Sequence, residues 1–157
     1  MSLEIPVFER ILVPVDKSEL TLKAVESALS LADRFGSVVY LLHIRDRPAS
    51  LEYGEAELDL DEIEHETKRL MAVGLSRLRN DHTVTVDQVK GEVRAGPVVQ
   101  VISEAATELA IDLIVMGSHG RHRVKDLFAG STAEQVVAKT SPSVLVVKPE
   151  GFPFLRE

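Results

Sequence analysis

Short apolar runs separated by helical patterns constrain this chain most. Ile11-Leu-Val-Pro-Val15, Val38-Val-Tyr-Leu-Leu-His-Ile44, Leu113-Ile-Val-Met116 and Ser143-Val-Leu-Val-Val147 are short and rich in β-branched residues. Runs that are apolar throughout suit strands covered on both faces. Thr83–Val89 alternates instead and reads as an outer strand. Between the runs, apolar residues recur at helical spacing. Leu20, Ala24, Ala28, Leu31, Ala32 and Phe35 form the first stripe, stopped by Gly36. Residues 45–56, with Pro48 and Gly54, read as a loop. Ile63, Thr67, Leu70, Gly74 and Leu78 form the second stripe, within a helix expected over residues 57–80. Glu62, Glu64 and Glu66 lie away from it, as a solvated face. Val98, Val101, Ile102, Ala105 and Leu109 form the third, with Pro97 at the first helical position. A fourth helical pattern runs through Lys139. Strands alternating with helices imply right-handed βαβ units, an open parallel α/β sheet with helices on both faces.

Such sheets bind ligands beyond the carboxyl ends of their strands, where the strand order reverses. The unusual residues of this chain fall there. Pro14-Val15-Asp16 follow the first run, His43-Ile44-Arg45 the second, and Met116 to Gly120 the fourth. Pro14 has no N–H for a ladder, so the first strand is expected to finish there. Asp16 and Glu19 have the spacing of a capping box, with Ser18 as a competing N-cap. If the first and fourth strands are neighbours, Asp16 and Gly117 face each other across one crevice.

The stretch after Met116 is the richest in chemistry. Gly117-Ser118-His119-Gly120 leads into Arg121, His122, Arg123 and Lys125; Gly130 then precedes Ser131, Thr132 and the last helix. Glycine lets backbone approach a ligand, and a helix start offers unpaired N–H groups and a positive dipole end. Those parts suit an anion, above all a phosphate. They equally suit an ordinary strand-to-helix connection with a capped helix. Neither Gly-x-x-x-x-Gly-Lys-Ser/Thr nor Gly-x-Gly-x-x-Gly occurs.

The bulk composition narrows the partners. A formal net charge of −7 argues against nucleic acid and membrane surfaces and makes the cationic cluster stand out. Aromatic residues are few, so no stacking platform for single strands is offered. No cysteine is present, which excludes disulfides and thiolate chemistry. No run approaches the ~20 apolar residues of a membrane span, and the start lacks a signal peptide's pattern. The expectation is a soluble, cytoplasmic protein of 157 residues forming one domain, with its core at 10–148 and a tail at 149–157. Phe152 and Phe154 of that tail dock either on the domain or on a partner. His43 reads as a satisfied, partly buried imidazole, and His65 and His82 as surface residues. No histidine cluster suggests zinc.

The residues together resemble the universal stress protein family, from Ile11 to Lys148. The resemblance rests on Ile11-Leu-Val-Pro-Val-Asp, Leu41-Leu-His-Ile, Asp112-Leu-Ile-Val-Met-Gly-Ser-His-Gly, Gly130-Ser-Thr-Ala-Glu-Gln-Val-Val and Ser141-Pro-Ser-Val-Leu-Val-Val. In that family, Gly-x-x-Gly, nine residues, then Gly-Ser/Thr marks a branch that binds ATP, and Gly117, Gly120, Gly130 and Ser131 match it. The resemblance implies a five-stranded domain in strand order 3-2-1-4-5 and a homodimer joined through the last strand, 143–147. It also implies an adenine-nucleotide site. Val15 and Ile44, with Pro14 beside them, would flank the adenine, and Asp16 would bond the nucleoside at its base or ribose edge. Met116, Gly117, Ser118, His119 and Gly120 would line the ribose and phosphates. Gly130, Ser131 and Thr132 would hold the phosphates, with Mg²⁺ or Mn²⁺ bridging them. Arg121, with Arg123 and Lys125, either neutralises phosphate or is solvated.

Hydrolysis would need a residue to position water, and the motif offers only Glu134, equally readable as a first-turn glutamate that favours the helix dipole. A nucleotide-dependent regulator or sensor is therefore expected ahead of a slow, partner-stimulated ATPase. A nucleotide-free dimeric scaffold is the third alternative.

Overall fold

A computed structural model describes residues 8–16, 18–45, 60–118 and 132–150. The strands are β1 (Arg10–Val15), β2 (Val38–Arg45), β3 (Val89–Ala95), β4 (Leu113–Gly117) and β5 (Ser143–Val147). The helices are α1 (Glu19–Phe35), α2 (Leu60–Ser76), α3 (Val98–Glu108) and α4 (Thr132–Lys139). All strand pairings are parallel, in the order β3-β2-β1-β4-β5. This is the sheet that the alternation and the resemblance imply.

Two cores lie on its two faces. Ile11, Val13, Val15, Val39, Leu41, Leu113 and Val115 point toward α1 and α2. Leu12, Tyr40, Leu42, Ile114 and Met116 point the other way, toward α3 and α4. The uninterrupted apolar runs follow from this: a strand covered on both sides has no solvent face to fill. Each fully buried Leu or Ile contributes about 1.5–3 kcal/mol relative to an exposed one. Ala24, Ala28 and Ala32 of α1 are buried at helical spacing, and their small side chains let this central helix lie close to the sheet. Helix α2 approaches α1 at Gly74, where an added Cβ would stand 2.6 Å from Leu29 Cδ1.

Helix α1 begins differently from the expected capping box. Its N-cap is Ser18, whose side chain makes no capping bond. The Asp16 carboxylate instead accepts hydrogen bonds from the Ser18 N–H and the Thr21 hydroxyl. Pro97 is the N-cap of α3 rather than its first helical residue. Helix α2 ends at Ser76, short of residue 80, and residues 57–59 lie outside the described residues. The solvated face is as read: Lys68 pairs with Glu64 at 2.5 Å and Arg69 with Glu66 at 2.7 Å.

The third strand is where the sequence reading fails. Thr83–Val86 is not a strand, and β3 begins at Val89, after a 3-10 turn over Val86–Gln88. The donors that a ladder would need are taken locally. The Thr83 N–H donates to Asp33 on α1, and the Thr85 N–H to the Gln88 side chain. Val84 is buried as a plug beside α1, which gives the alternation its apolar residue without a strand. Among the described residues the true strand, Val-Lys-Gly-Glu-Val-Arg-Ala, pairs only with β2. An edge strand tolerates such charges, and they discourage pairing with a foreign strand.

Candidate nucleotide site

The site follows from how β1 treats its two neighbours. Against β2 it is in register along its whole length, from Arg10↔Val38 to Val15↔His43. Against β4 the register holds only at Ile11↔Leu113 and Leu12↔Ile114. The Arg10 carbonyl accepts the Asp112 N–H. In a parallel strand alternate residues bond to the same neighbour, so Leu12 and Pro14 also turn toward β4. Pro14 has no N–H to give, and the β1–β4 register stops before it. The proline therefore does not end the strand, as expected, because β1 runs on to Val15 against β2. It ends the pairing with β4.

The opposite end of the same strand pair is tied. The Asp112 carboxylate accepts the Glu9 N–H at 2.8 Å and the Arg10 N–H at 3.2 Å. The Arg10 guanidinium donates to the Leu109 carbonyl at 2.6 Å. β1 and β4 are thus clamped at their amino ends and unpaired at their carboxyl ends. The strand order also reverses here, since β2 and β3 lie to one side and β4 and β5 to the other. Continuing the short register sets Val15 level with Gly117 and Asp16 level with Ser118.

Of the expected site residues, Pro14, Val15, Asp16, Ile44, Met116, Gly117 and Ser118 lie at or next to the carboxyl ends of β1, β2 and β4, though not all in the same way. Asp16 and Ser118 are half-buried. Asp16 Oδ1 accepts from Ser18 N–H at 2.8 Å and from Thr21 Oγ1 at 2.7 Å, and the Asp16 N–H donates to Thr21 Oγ1 at 3.0 Å. The Ser118 N–H donates to the Val147 carbonyl at 2.9 Å, which makes it part of the sheet. Gly117 ends β4 without a left-handed φ, so its backbone would accept a side chain. Val15 and Ile44 share the edge but not a face. Val15 packs under α1, whereas Ile44 packs on the α3 side. Met116 is 6 % exposed and its side chain belongs to the core beneath α3 and α4. Thr132 opens α4 and is half-buried. His119, Gly120, Arg121, Gly130 and Ser131 lie outside the described residues, as do His122, Arg123 and Lys125.

Beside the site, His43 is the register partner of Val15 on one side and of Val93 on the other. Its Nε2 lies 2.7 Å from Thr67 Oγ1 on α2. Thr67 comes this close because Gly91 has no side chain; a Cβ there would be 3.1 Å from Thr67 Cγ2. Burial holds the imidazole below its ordinary pKa, with the Glu66 carboxylate pulling the other way. His43 is thus the satisfied, partly buried histidine that the sequence suggests. His65 is exposed as expected, but His82 is half-buried, with Nδ1 lacking a partner among the described residues.

Sequence reasoning missed two residues at this edge, Thr21 and Thr67. Thr21 is 5 % exposed, one of the few buried polar residues. The available signal was a hydroxyl on the buried face of α1, between Leu20 and Ala24. For Thr67, placed on the right stripe, no sequence signal pointed to His43. Among the described residues no group of three or more His, Asp or Glu side chains could hold a metal, and no helix is long and apolar enough to cross a membrane.

Comparison with known proteins agrees with this architecture. Universal stress protein G of Shigella flexneri is 32 % identical over 143 residues, covering 90 % of this chain and 99 % of that one. The solved structure of protein MJ0577, from Methanocaldococcus jannaschii, superposes with a TM-score of 0.70 at 30 % identity, covering 93 % of this chain and 99 % of that one. A universal stress protein in complex with cAMP shares the fold with a TM-score of 0.71, at 20 % identity, covering 90 % of this chain and 98 % of that one. The model of the universal stress protein family matches residues 8–148, and this chain belongs to that family.

Proposed function

We propose that this chain is an ATP-binding universal stress protein that acts as a nucleotide-dependent regulator or sensor. The observation that carries the reading is that the β1–β4 pairing stops short of the carboxyl ends of the two strands, with Asp16 and Gly117 just beyond it on either side. That is the position at which open parallel sheets take ligands. The chain that follows Gly117 supplies the glycines, cations and hydroxyls of a phosphate site, up to Thr132 at the start of α4. The fold relative in complex with cAMP supports an adenine nucleotide as the ligand class. In this reading Val15 and Ile44 border the base from opposite faces of the sheet, and Asp16 accepts from the nucleoside. A divalent ion would bridge the phosphates in this reading.

The same reading includes a homodimer through β5. This edge strand, Ser-Val-Leu-Val-Val, carries no charge, and Leu145 on it is 41 % exposed. An uncharged edge with an exposed leucine favours pairing with a second copy.

The decisive experiment is calorimetric titration of nucleotide-stripped protein with ATP, ADP, AMP and cAMP, alongside mass spectrometry of any small molecule released on denaturation. Binding of at least one adenine nucleotide with a Kd below a millimolar is expected. Failure of all four to bind would reduce the protein to a scaffold.

A further inference from the structure

Thr21 holds Asp16 by both its ends. Its hydroxyl donates to Asp16 Oδ1 at 2.7 Å, and the same oxygen accepts the Asp16 N–H at 3.0 Å. The Ser18 N–H supplies a second donor to Oδ1 at 2.8 Å. Among the described residues, Oδ2 has no such partner. Thr21 is itself immobilised: it lies in the first turn of α1, is 5 % exposed, and its N–H bonds to the Ser18 carbonyl at 3.2 Å. A carboxylate pinned through one oxygen cannot swing both oxygens onto a ligand. It offers one acceptor in one direction. A ribose diol held in bidentate fashion would need both oxygens; a single N–H or O–H needs only one.

We infer that Thr21 is a positioning residue that fixes Asp16 as a one-oxygen acceptor, and that it thereby sets how sharply the site selects one hydrogen-bond donor of a nucleoside. The inference rests on the nucleotide reading above but makes a separate demand on the free protein. Loss of the Thr21 hydroxyl leaves the carboxylate held by the Ser18 N–H alone, which loosens its orientation, and leaves the Asp16 N–H without its acceptor.

Two measurements test it with Thr21→Val, which keeps the side-chain volume, and Thr21→Ser, which restores the hydroxyl. The first compares binding of ATP with 2′-deoxy-ATP, 3′-deoxy-ATP and N6,N6-dimethyl-ATP, each lacking one or both donors of one group. In the wild type, one analogue is expected to weaken roughly tenfold or more, the loss of one hydrogen bond to a charged group, while the others stay close to ATP. In Thr21→Val the gap should shrink to about twofold, and in Thr21→Ser it should return. A gap that persists in Thr21→Val, or equal losses for both deoxy analogues, would overturn the inference. The second measures amide exchange at Asp16 and Ser18 without ligand. Exchange should quicken in Thr21→Val and slow again in Thr21→Ser; unchanged exchange rejects the anchor even if ATP binds. Absence of ATP binding to the wild type would refute the nucleotide reading instead, and exchange alone would then decide whether Thr21 holds Asp16.

Discussion

β1 has one neighbour on each side and bonds to them unequally. Toward β2 the register is unbroken, and His43 and Thr67 tie the strand end to α2. Toward β4 it lasts two residues, is clamped by Asp112 at the amino end, and is interrupted where Pro14 turns its nitrogen to that side. In the proposed reading, one side serves stability and the other serves access. A single imino acid accounts for the difference, because a parallel ladder assigns each residue's donor to one neighbour only.

The sharpest way to break this contrast is to cut both sides within one residue of the same level. Leu42 is fully buried on the β2 side, in register with Pro14. Leu42→Ala is expected to cost about 2–5 kcal/mol of unfolding free energy, read from urea denaturation, with nucleotide affinity changing little while the protein stays folded. Gly117→Val should do the reverse. Its φ is not left-handed, so a side chain adds no backbone strain there, and the melting temperature should move by only a few degrees. Nucleotide affinity should fall about a hundredfold, close to 2.7 kcal/mol, because in the proposed reading the added methyls stand where the ligand approaches. Equal losses of stability and affinity in both variants would dissolve the distinction.

Pro14→Val restores a donor toward β4. It should raise stability by about 0.5–1.5 kcal/mol, the worth of one hydrogen bond, and weaken nucleotide binding as the β1–β4 pairing extends. Unchanged binding would mean that the end of the β1–β4 pairing does not shape the site. The smallest effect belongs to His43. Burial lowers its pKa in the folded protein, so the unfolded chain takes the proton first as the pH falls. Its stability contribution is intact above the ordinary histidine value of about 6.5 and is lost as the pH drops through that value toward the folded one. His43→Gln should remove this slope, seen by comparing urea midpoints of variant and wild type between pH 7.5 and 5. A variant that keeps the slope would place the titrating group elsewhere.

Much of the fold was legible because central strands advertise themselves. β1, β2, β4 and β5 were located to within a residue, since the three central strands are covered on both faces and β5, though an edge strand, carries no charge. β3 was not, because an edge strand need not be apolar. Lys90, Glu92 and Arg94 hid it, while the plug at Val84 imitated it. At the site, the strand-end residues were legible as unusual chemistry at a predictable edge. The orientations were not. Val15 and Ile44 look equivalent in sequence, but strands of period two in a fixed register turn them to opposite faces.

The sequence by itself determined the layering, the parallel sheet and the edge where a ligand would lie, because hydrophobic period and turn chemistry are local properties of the chain. Only the tertiary structure decided which neighbour Pro14 deprives of a hydrogen bond, that Asp112 clamps the far end, and that Thr21 rather than Glu19 holds Asp16. Each of those depends on which backbone groups meet across a distance that no local pattern encodes.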